Sequence, residues 1–335
     1  MPAEWEKHAS TWFSWPVNKD TWPLDGKYQA MIKQYCVLIG TLAKYEKVNI
    51  NVGTSELEKQ AVEHLKENGF TTQNIHFHHF KTNDAWCRDH GPIFVKNEKG
   101  ERAITNWLYN AWGGKYPPYD DDNKIPEQIA KLLNLPIFSP GIVMEGGSLE
   151  VNGKGTLLTT RACLLNENRN PHLSQAQIED YLKKYLGVTH ILWLEDGIVG
   201  DDTDGHIDDL SRFTDANTIV TVVEKNPEDE NYAILQENLH TLHTLKDQDG
   251  KPFKIVELPM PSPLVVDDLR LPASYANFLI ANGCVLVPIF NDPMDNVALD
   301  ILKPLFPGRD VIGIPAQHIV WGLGTIHCLS QQECL

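Results

Sequence analysis

SLEVNGKGTLLTT, residues 148–160, is the stretch from which the fold can be read. It predicts a hairpin of two short strands turning at Asn152-Gly153, a pair that readily takes the positive backbone angles of a tight turn. Beyond a polar connection, SQAQIEDYLKKYLG (174–187) predicts an amphipathic helix with Ser174 as its N-cap. HILWL (190–194) then gives a third strand. The order strand, strand, helix, strand recurs along the chain. PIFVKNEKGERAITNW (92–107), turning at Glu98-Lys99-Gly100, is followed by IPEQIAKLLN and LPIFS. RFTDANTIVTVV (212–223) precedes NYAILQENLHTLHTL and FKIVELPM, and NFLIANGCVLVPIF (277–290) precedes MDNVALDILKPLF and VIGIP. A fifth copy is split between the ends: GTIHCLSQQ joins TWFSW, the helix YQAMIKQYCVLIGTLAKY and VNINVG.

Units that repeat at this scale bury their apolar faces against their neighbours, and sharing one unit between the two termini closes a ring. No Ser/Gly linker or low-complexity tract divides the chain, so residues 1–335 are expected to form one continuous domain. The acidic run YDDDNK (119–124) reads as a solvated loop.

Composition narrows the function. Forty-five acidic against 29 basic side chains give a formal charge of -16, which repels nucleic acid and anionic membranes and favours a cationic small molecule. No apolar run is long enough to span a bilayer, and MPAEWEKHAS lacks the basic and apolar regions of a signal peptide, so a cytoplasmic location is expected. Cys36, Cys87, Cys163, Cys284, Cys328 and Cys334 form no CxxC pair or regular framework and read as free, mostly buried thiols. No GxGxxG or P-loop supports nucleotide binding.

Four motifs fall just before or inside the first strand of successive units, where a closed ring would make them converge. WCRDHGP (86–92) offers Asp89, either a structural partner of an arginine or a functional carboxylate. MEGGSLEVNG (144–153) sets Glu145 before two glycines at a strand entrance, where a plain loop residue is the alternative. GDDTDGHIDDLSRF (200–213) places His206 and Asp208 two residues apart, on one face if the segment is a strand. That pair suits a metal site, or an acid/base beside a cation-binding carboxylate, or an aspartate-rich capping loop. GLGTIHCLSQQ (322–332) carries Cys328, a nucleophile or an inert buried thiol. His327 is adjacent in sequence and points to the opposite face of a strand, so His206 is the better base. IHFHHF (75–80) fits a strand with one polar face rather than a metal site.

Together and in this order, WCRDHGP, EGGSLEVNG, DDTDGHIDD and IHCLSQQ resemble the agmatine deiminase family, bacterial relatives of the peptidyl-arginine deiminases in the guanidine-modifying superfamily. The resemblance runs from AEWEKHASTWFSWP to GLGTIHCLSQQ and is reinforced by AWGGKYPPYD and SYANFLIANG. It implies an α/β fold, a fivefold pseudo-symmetric α/β propeller of ββαβ-type units closed by joining the termini. The implied reaction hydrolyses agmatine to N-carbamoylputrescine and ammonia through an amidino-cysteine intermediate, a step of polyamine biosynthesis towards putrescine. The resemblance makes Cys328 the nucleophile, His206 the general acid/base, Glu145 its partner, and Asp89 and Asp208 the guanidinium-binding carboxylates. Asp202 would contact the far amine, and Trp86 would cover the methylene chain. No cofactor or metal is required, and a homo-oligomer is compatible. Peptidyl or free arginine is the alternative substrate; a metal-dependent hydrolase or an inactive binding ring are the alternative classes. One departure is that GLG at 322–324 replaces the three consecutive glycines frequent in these relatives.

Overall fold

Local chemistry explains the unit that begins at residue 148. The Asn152 side chain accepts hydrogen bonds from the backbone amides of Lys154 and Thr156 at 2.9 and 3.0 Å, which closes the turn. Glu150–Val151 thereby pairs antiparallel with Thr156–Thr160, Glu150 opposite Leu158. The helix Gln175–Leu186 starts at a capping box: the Ser174 side chain accepts from the Gln177 amide while the Gln177 side chain returns to the Ser174 backbone. It stops at Gly187, whose φ of 68° suits glycine. Ile178, Leu182 and Leu186, four residues apart along one face, are buried, and the chain returns as His190–Leu194, parallel to Thr156–Thr160.

The computed structural model describes residues 1–23 and 26–335, and in them the same pairing occurs in five mixed sheets. Ile93–Lys96, Arg102–Thr105 and Ile137–Phe138 form one; Ser211–Asp215, Thr218–Val223 and Lys254–Pro259 another; Leu279–Ile280, Cys284–Ile289 and Asp310–Pro315 a third. In each, the first two strands are antiparallel and the second pair is parallel. The split unit forms as expected: Ser330–Cys334 lies antiparallel to His8–Ser14, which is parallel to Val48–Asn51. Every residue of the middle strand Thr218–Val223 is buried, as in a sheet covered on both faces. Among the described residues no helix is long and apolar enough to cross a membrane.

Several elements differ from the sequence expectation. The split unit is enlarged by the helix Ser55–Glu67, capped by Thr54, and by Ile75–His78, the strand expected within IHFHHF, which joins this sheet as its fourth member. A further hairpin pairs Val265–Val266 with Leu269–Arg270. YDDDNK is not simply a solvated loop. Asp122 is buried, because its Oδ1 accepts the Asn83 amide at 2.7 Å and ties the segment down. His206 and Asp208 do not lie on a strand: Ile207–Asp209 is a 3-10 turn, held by the His206 amide donating to Asp201 Oδ2 at 2.9 Å. Cys328 likewise precedes the strand Ser330–Cys334 rather than lying inside it.

These corrections share a pattern. The turns Cys87–His90, Gly146–Ser148 and Ile207–Asp209 each precede the first strand of a sheet. The first packs on the second, the second on the third, and the first also on Ser330–Cys334.

Candidate active site

Four chain segments separated by tens of residues meet beneath a cavity of about 550 Å³, whose lining includes Trp86, Asp89, Trp112, Asp202, Leu323 and Cys328. Asp89 is positioned by the Trp112 indole N–H, which donates to Oδ2 at 3.0 Å, and by the Gly147 amide, which donates to Oδ1 at 3.0 Å. Its Oδ1 lies 3.7 Å from His206 Nδ1. Only glycine fits at 147: a Cβ there would stand 2.4 Å from His206 Nδ1 and 2.8 Å from Asp89 Oδ1.

Opposite, Asp208 Oδ2 is 2.7 Å from His327 Nδ1 and 3.8 Å from Cys328 Sγ. The Asn277 amide also reaches the sulfur, with Nδ2 at 3.1 Å. Glu145 accepts from Arg169 Nε at 2.6 Å through Oε1. Arg169 in turn spans to Asp204 Oδ2 at 2.6 Å and to the Thr203 carbonyl at 2.9 Å, so one buried guanidinium ties Glu145 to the loop that carries His206. Among the described residues, Glu145 Oε2, Asp208 Oδ1 and both ring nitrogens of His206 are buried without a hydrogen-bond partner. These open atoms leave hydrogen-bonding capacity free at the base of the cavity.

Electrostatics sort these groups. Burial holds the Cys328 thiol well above its ordinary pKa, and Asp208, Asp209 and Asp89 push it the same way. Burial keeps His206 neutral, lowering its pKa to about 3 against the pull of Asp208. The Asp89 carboxyl is raised well above the carboxylate range by burial, then by Asp208 and Glu145. Burial raises Glu145 despite Arg169. Asp208 goes the other way: burial opposes ionisation, but the His327 hydrogen bond and the cations around it leave its pKa below the usual value.

At the mouth, Asp202 is held by Lys115, Nζ to Oδ1 at 3.2 Å, and by the Tyr116 hydroxyl. Asp204, at φ 67°, also accepts from Lys115 at 2.9 Å. Trp86 stacks obliquely on Trp22, ring centroids 5.7 Å apart, and forms the wall beside the cysteine loop. That loop passes so close that a Cβ on Gly324 would lie 2.6 Å from the Trp86 ring. Leu323 occupies the left-handed region at φ 67°, so it reproduces a glycine-like bend at a cost of about 1–2 kcal/mol.

Metal chemistry has two places to be tested. Glu145, Cys163 and His206 bring ligand atoms within 4.8 Å of one another, as do Asp208, Asp209 and Cys328. The first is already served by a cation, since Arg169 Nη2 lies 4.0 Å from Cys163 Sγ and Nε 2.6 Å from Glu145. The second, two carboxylates beside a thiol, suits the planar fork of a guanidinium as well as it suits a metal ion. Within IHFHHF the strand is Ile75–His78, with His78 bonded to Asn49, and His79 beyond it bonded to Glu58.

The structure thus gathers Asp89, Glu145, His206, Asp208 and Cys328 at one site, with Trp86 and Asp202 on the cavity above. Sequence reasoning missed Arg169, Asn277, Trp112 and Glu4, whose contacts span tens to hundreds of residues. Trp112 and Asn277 sit in the stretches AWGGKYPPYD and SYANFLIANG, the signal by which they could have been found.

The chain is similar over its whole length to known proteins. An agmatine deiminase of Pseudomonas fluorescens is 37% identical, over 99% of this chain and 95% of its own length. The solved agmatine deiminase of Enterococcus faecalis superposes with a TM-score of 0.90 at 32% identity, covering 99% of this chain and 95% of that one. A cysteine-to-serine variant of the C. jejuni agmatine deiminase, solved with substrate bound, gives a TM-score of 0.89 at 33% identity, covering 100% and 96%. The family model for the Porphyromonas-type peptidyl-arginine deiminases matches residues 1–334, and the chain belongs to that family.

Proposed function

We propose that this protein hydrolyses agmatine to N-carbamoylputrescine and ammonia through a covalent adduct on Cys328. The observation that carries the reading is the convergence of Cys328 Sγ, 3.8 Å from Asp208, with Asp89 and an unpartnered His206 3.7 Å apart, under one acid-lined cavity. A guanidinium seated between Asp89 and the open Oδ1 of Asp208 gives each carboxylate a bidentate or single charged partner. Burial holds the Cys328 thiol up first and the nearby carboxylates add to it; the substrate charge offsets that second, repulsive part, so substrate binding itself favours the thiolate.

The thiolate forms a bond to the guanidinium carbon. His206, neutral and with both nitrogens open, takes up the thiol proton and delivers it to the departing nitrogen, which leaves as ammonia. The imidazolium formed in passing is stabilised by Asp89 and by Glu145, which Arg169 holds in place. Water, deprotonated by the same histidine, then attacks the amidino carbon, the C–S bond breaks, and the ureido product leaves with the thiol restored. Trp86 covers the methylene chain, and Asp202 receives the far ammonium in exchange for Lys115.

Free arginine fits less well. Among the described residues lining the cavity Lys115 is the one basic side chain, and Asp202 and Asp204 already engage it, leaving no cation for a substrate carboxylate. The five like sheets, with one shared between the termini, support a single catalytic domain over residues 1–335, closed as a fivefold propeller whose turns meet near the axis. Six free cysteines accord with a reducing, cytoplasmic setting. Ammonia and ureido product are to be measured with agmatine, arginine and an arginine-containing peptide. Preferential turnover of agmatine supports the reading, and faster turnover of the peptide overturns the substrate.

A further inference from the structure

His327 takes no step in the chemistry above, yet it is wedged between acids from opposite ends of the chain. Its Nδ1 lies 2.7 Å from Asp208 Oδ2 and its Nε2 lies 2.7 Å from Glu4 Oε2, with the side chain 1% exposed. A carboxylate oxygen at that distance requires a proton on the line, because a nitrogen lone pair facing it would repel. Glu4 is fixed independently: Arg212 Nη2 donates to Oε2 at 2.9 Å and the Ile280 amide to Oε1 at 2.7 Å, with Arg88 Nη2 at 3.7 Å. Arg212 is itself anchored on Glu150 at 2.7 Å. The imidazole therefore stands on a base that Arg212, the Ile280 amide and, through Arg212, Glu150 hold in place.

The consequence falls on Asp208. One of its oxygens is engaged by His327, and the other, Oδ1, is buried with no partner among the described residues. A buried carboxylate free to rotate would turn whichever oxygen it could towards the nearest donor, whereas this one is tied by Oδ2 to His327. We propose that His327 is a positioning residue which, braced on Glu4, holds Asp208 by Oδ2 so that Oδ1 is presented to the substrate guanidinium. The amino-terminal segment bearing Glu4 is thereby part of the substrate grip. This rests on the guanidinium-binding role of Asp208 given under Proposed function.

Two near-isosteres separate this from mere packing. In His327→Asn the side-chain amide N–H stands where Nδ1 stood, keeping the bond to Asp208 and losing Glu4. In His327→Gln it stands where Nε2 stood, keeping Glu4 and losing Asp208. A grip felt equally before and during reaction moves KM rather than kcat. His327→Gln is expected to raise KM for agmatine on the order of tenfold to a hundredfold with kcat far less changed. His327→Asn is expected to raise it by roughly threefold or less. Equal KM values for the two variants, or a change confined to kcat, overturn the proposal. Should both fail to fold by circular dichroism, Glu4→Gln loosens the brace without touching the imidazole. It must raise KM with kcat retained, and an unchanged KM overturns the role. Calorimetric titration of agmatine into Cys328→Ser, with and without Glu4→Gln, reads the grip without turnover and must weaken in the double variant. If the wild-type protein releases no ammonia from agmatine, it is the reaction that fails. If it does and KM stays unmoved in His327→Gln, it is the positioning role.

Discussion

Replacing Gly147 by alanine adds one methyl group at the narrowest point of the site. The new carbon would stand 2.4 Å from His206 Nδ1, while ordinary contact begins at 3.4 Å, so the ring must retreat by about 1.0 Å. Asp89 Oδ1, 2.8 Å from the same carbon, must also give way, although the Gly147 amide holds it at 3.0 Å. The methyl group cannot be relieved by backbone rotation at 147 alone, since Gly146–Ser148 is a turn closed on both sides by packed neighbours. Overpacking of this kind costs about 1–3 kcal/mol of stability. A displacement of about 1 Å in a group that moves the proton costs on the order of a hundredfold in rate. Gly147→Ala is therefore expected to fold, to melt somewhat lower, and to lose about two orders of magnitude in kcat. Steady-state ammonia release beside thermal melts checks this. A variant with kcat within about threefold of wild type would refute the claim that His206 and Asp89 act from the positions described.

Arg169→Met removes the only charged partner of Glu145 among the described residues and leaves a buried carboxyl, so stability should fall by about 3–5 kcal/mol in urea unfolding. Arg169→Lys should recover little, since an ammonium cannot bridge Glu145, Asp204 and the Thr203 carbonyl together. Asp122 supplies a pH signature. Burial raises its pKa from 3.8 to about 7, so the folded chain binds a proton more tightly than the unfolded one across that interval. Stability should decline as pH rises from about 4 to 7, and Asp122→Asn should flatten the slope measured by urea unfolding at a series of pH values.

What could be read in the sequence was what is local. Asn152 closes its own turn, and Ser174 caps a helix whose buried residues fall four apart, so strand and helix positions follow from neighbours a few residues away. The grouping of Asp89, Glu145, His206, Asp208 and Cys328 was legible because each sits at the equivalent entrance of a repeated unit. Face assignments failed where the backbone was irregular. Reading His206 and Asp208 as alternating strand residues missed that Asp201 and Thr203 fold the segment into a turn. Arg169 and Glu4 were invisible for another reason. NRNP and AEWE carry no catalytic spacing, and their partners lie 24 and 323 residues away. The sequence shows His327 only as a neighbour of Cys328, and its contacts with two distant acids lie outside any local pattern. The burial of Asp122 was hidden in the same way, since an acidic run looks solvated until the Asn83 amide that ties it down is placed beside it.

The central claim is that the Cys328 sulfur bonds to a carbon held by Asp89 and Asp208. Acid-quenching the protein during agmatine turnover and mapping the digest by mass spectrometry tests it directly. The account predicts an amidino adduct on the peptide carrying Cys328, formed in the presence of chelator. Steady turnover with that cysteine unmodified, or turnover that survives Cys328→Ala, would contradict it.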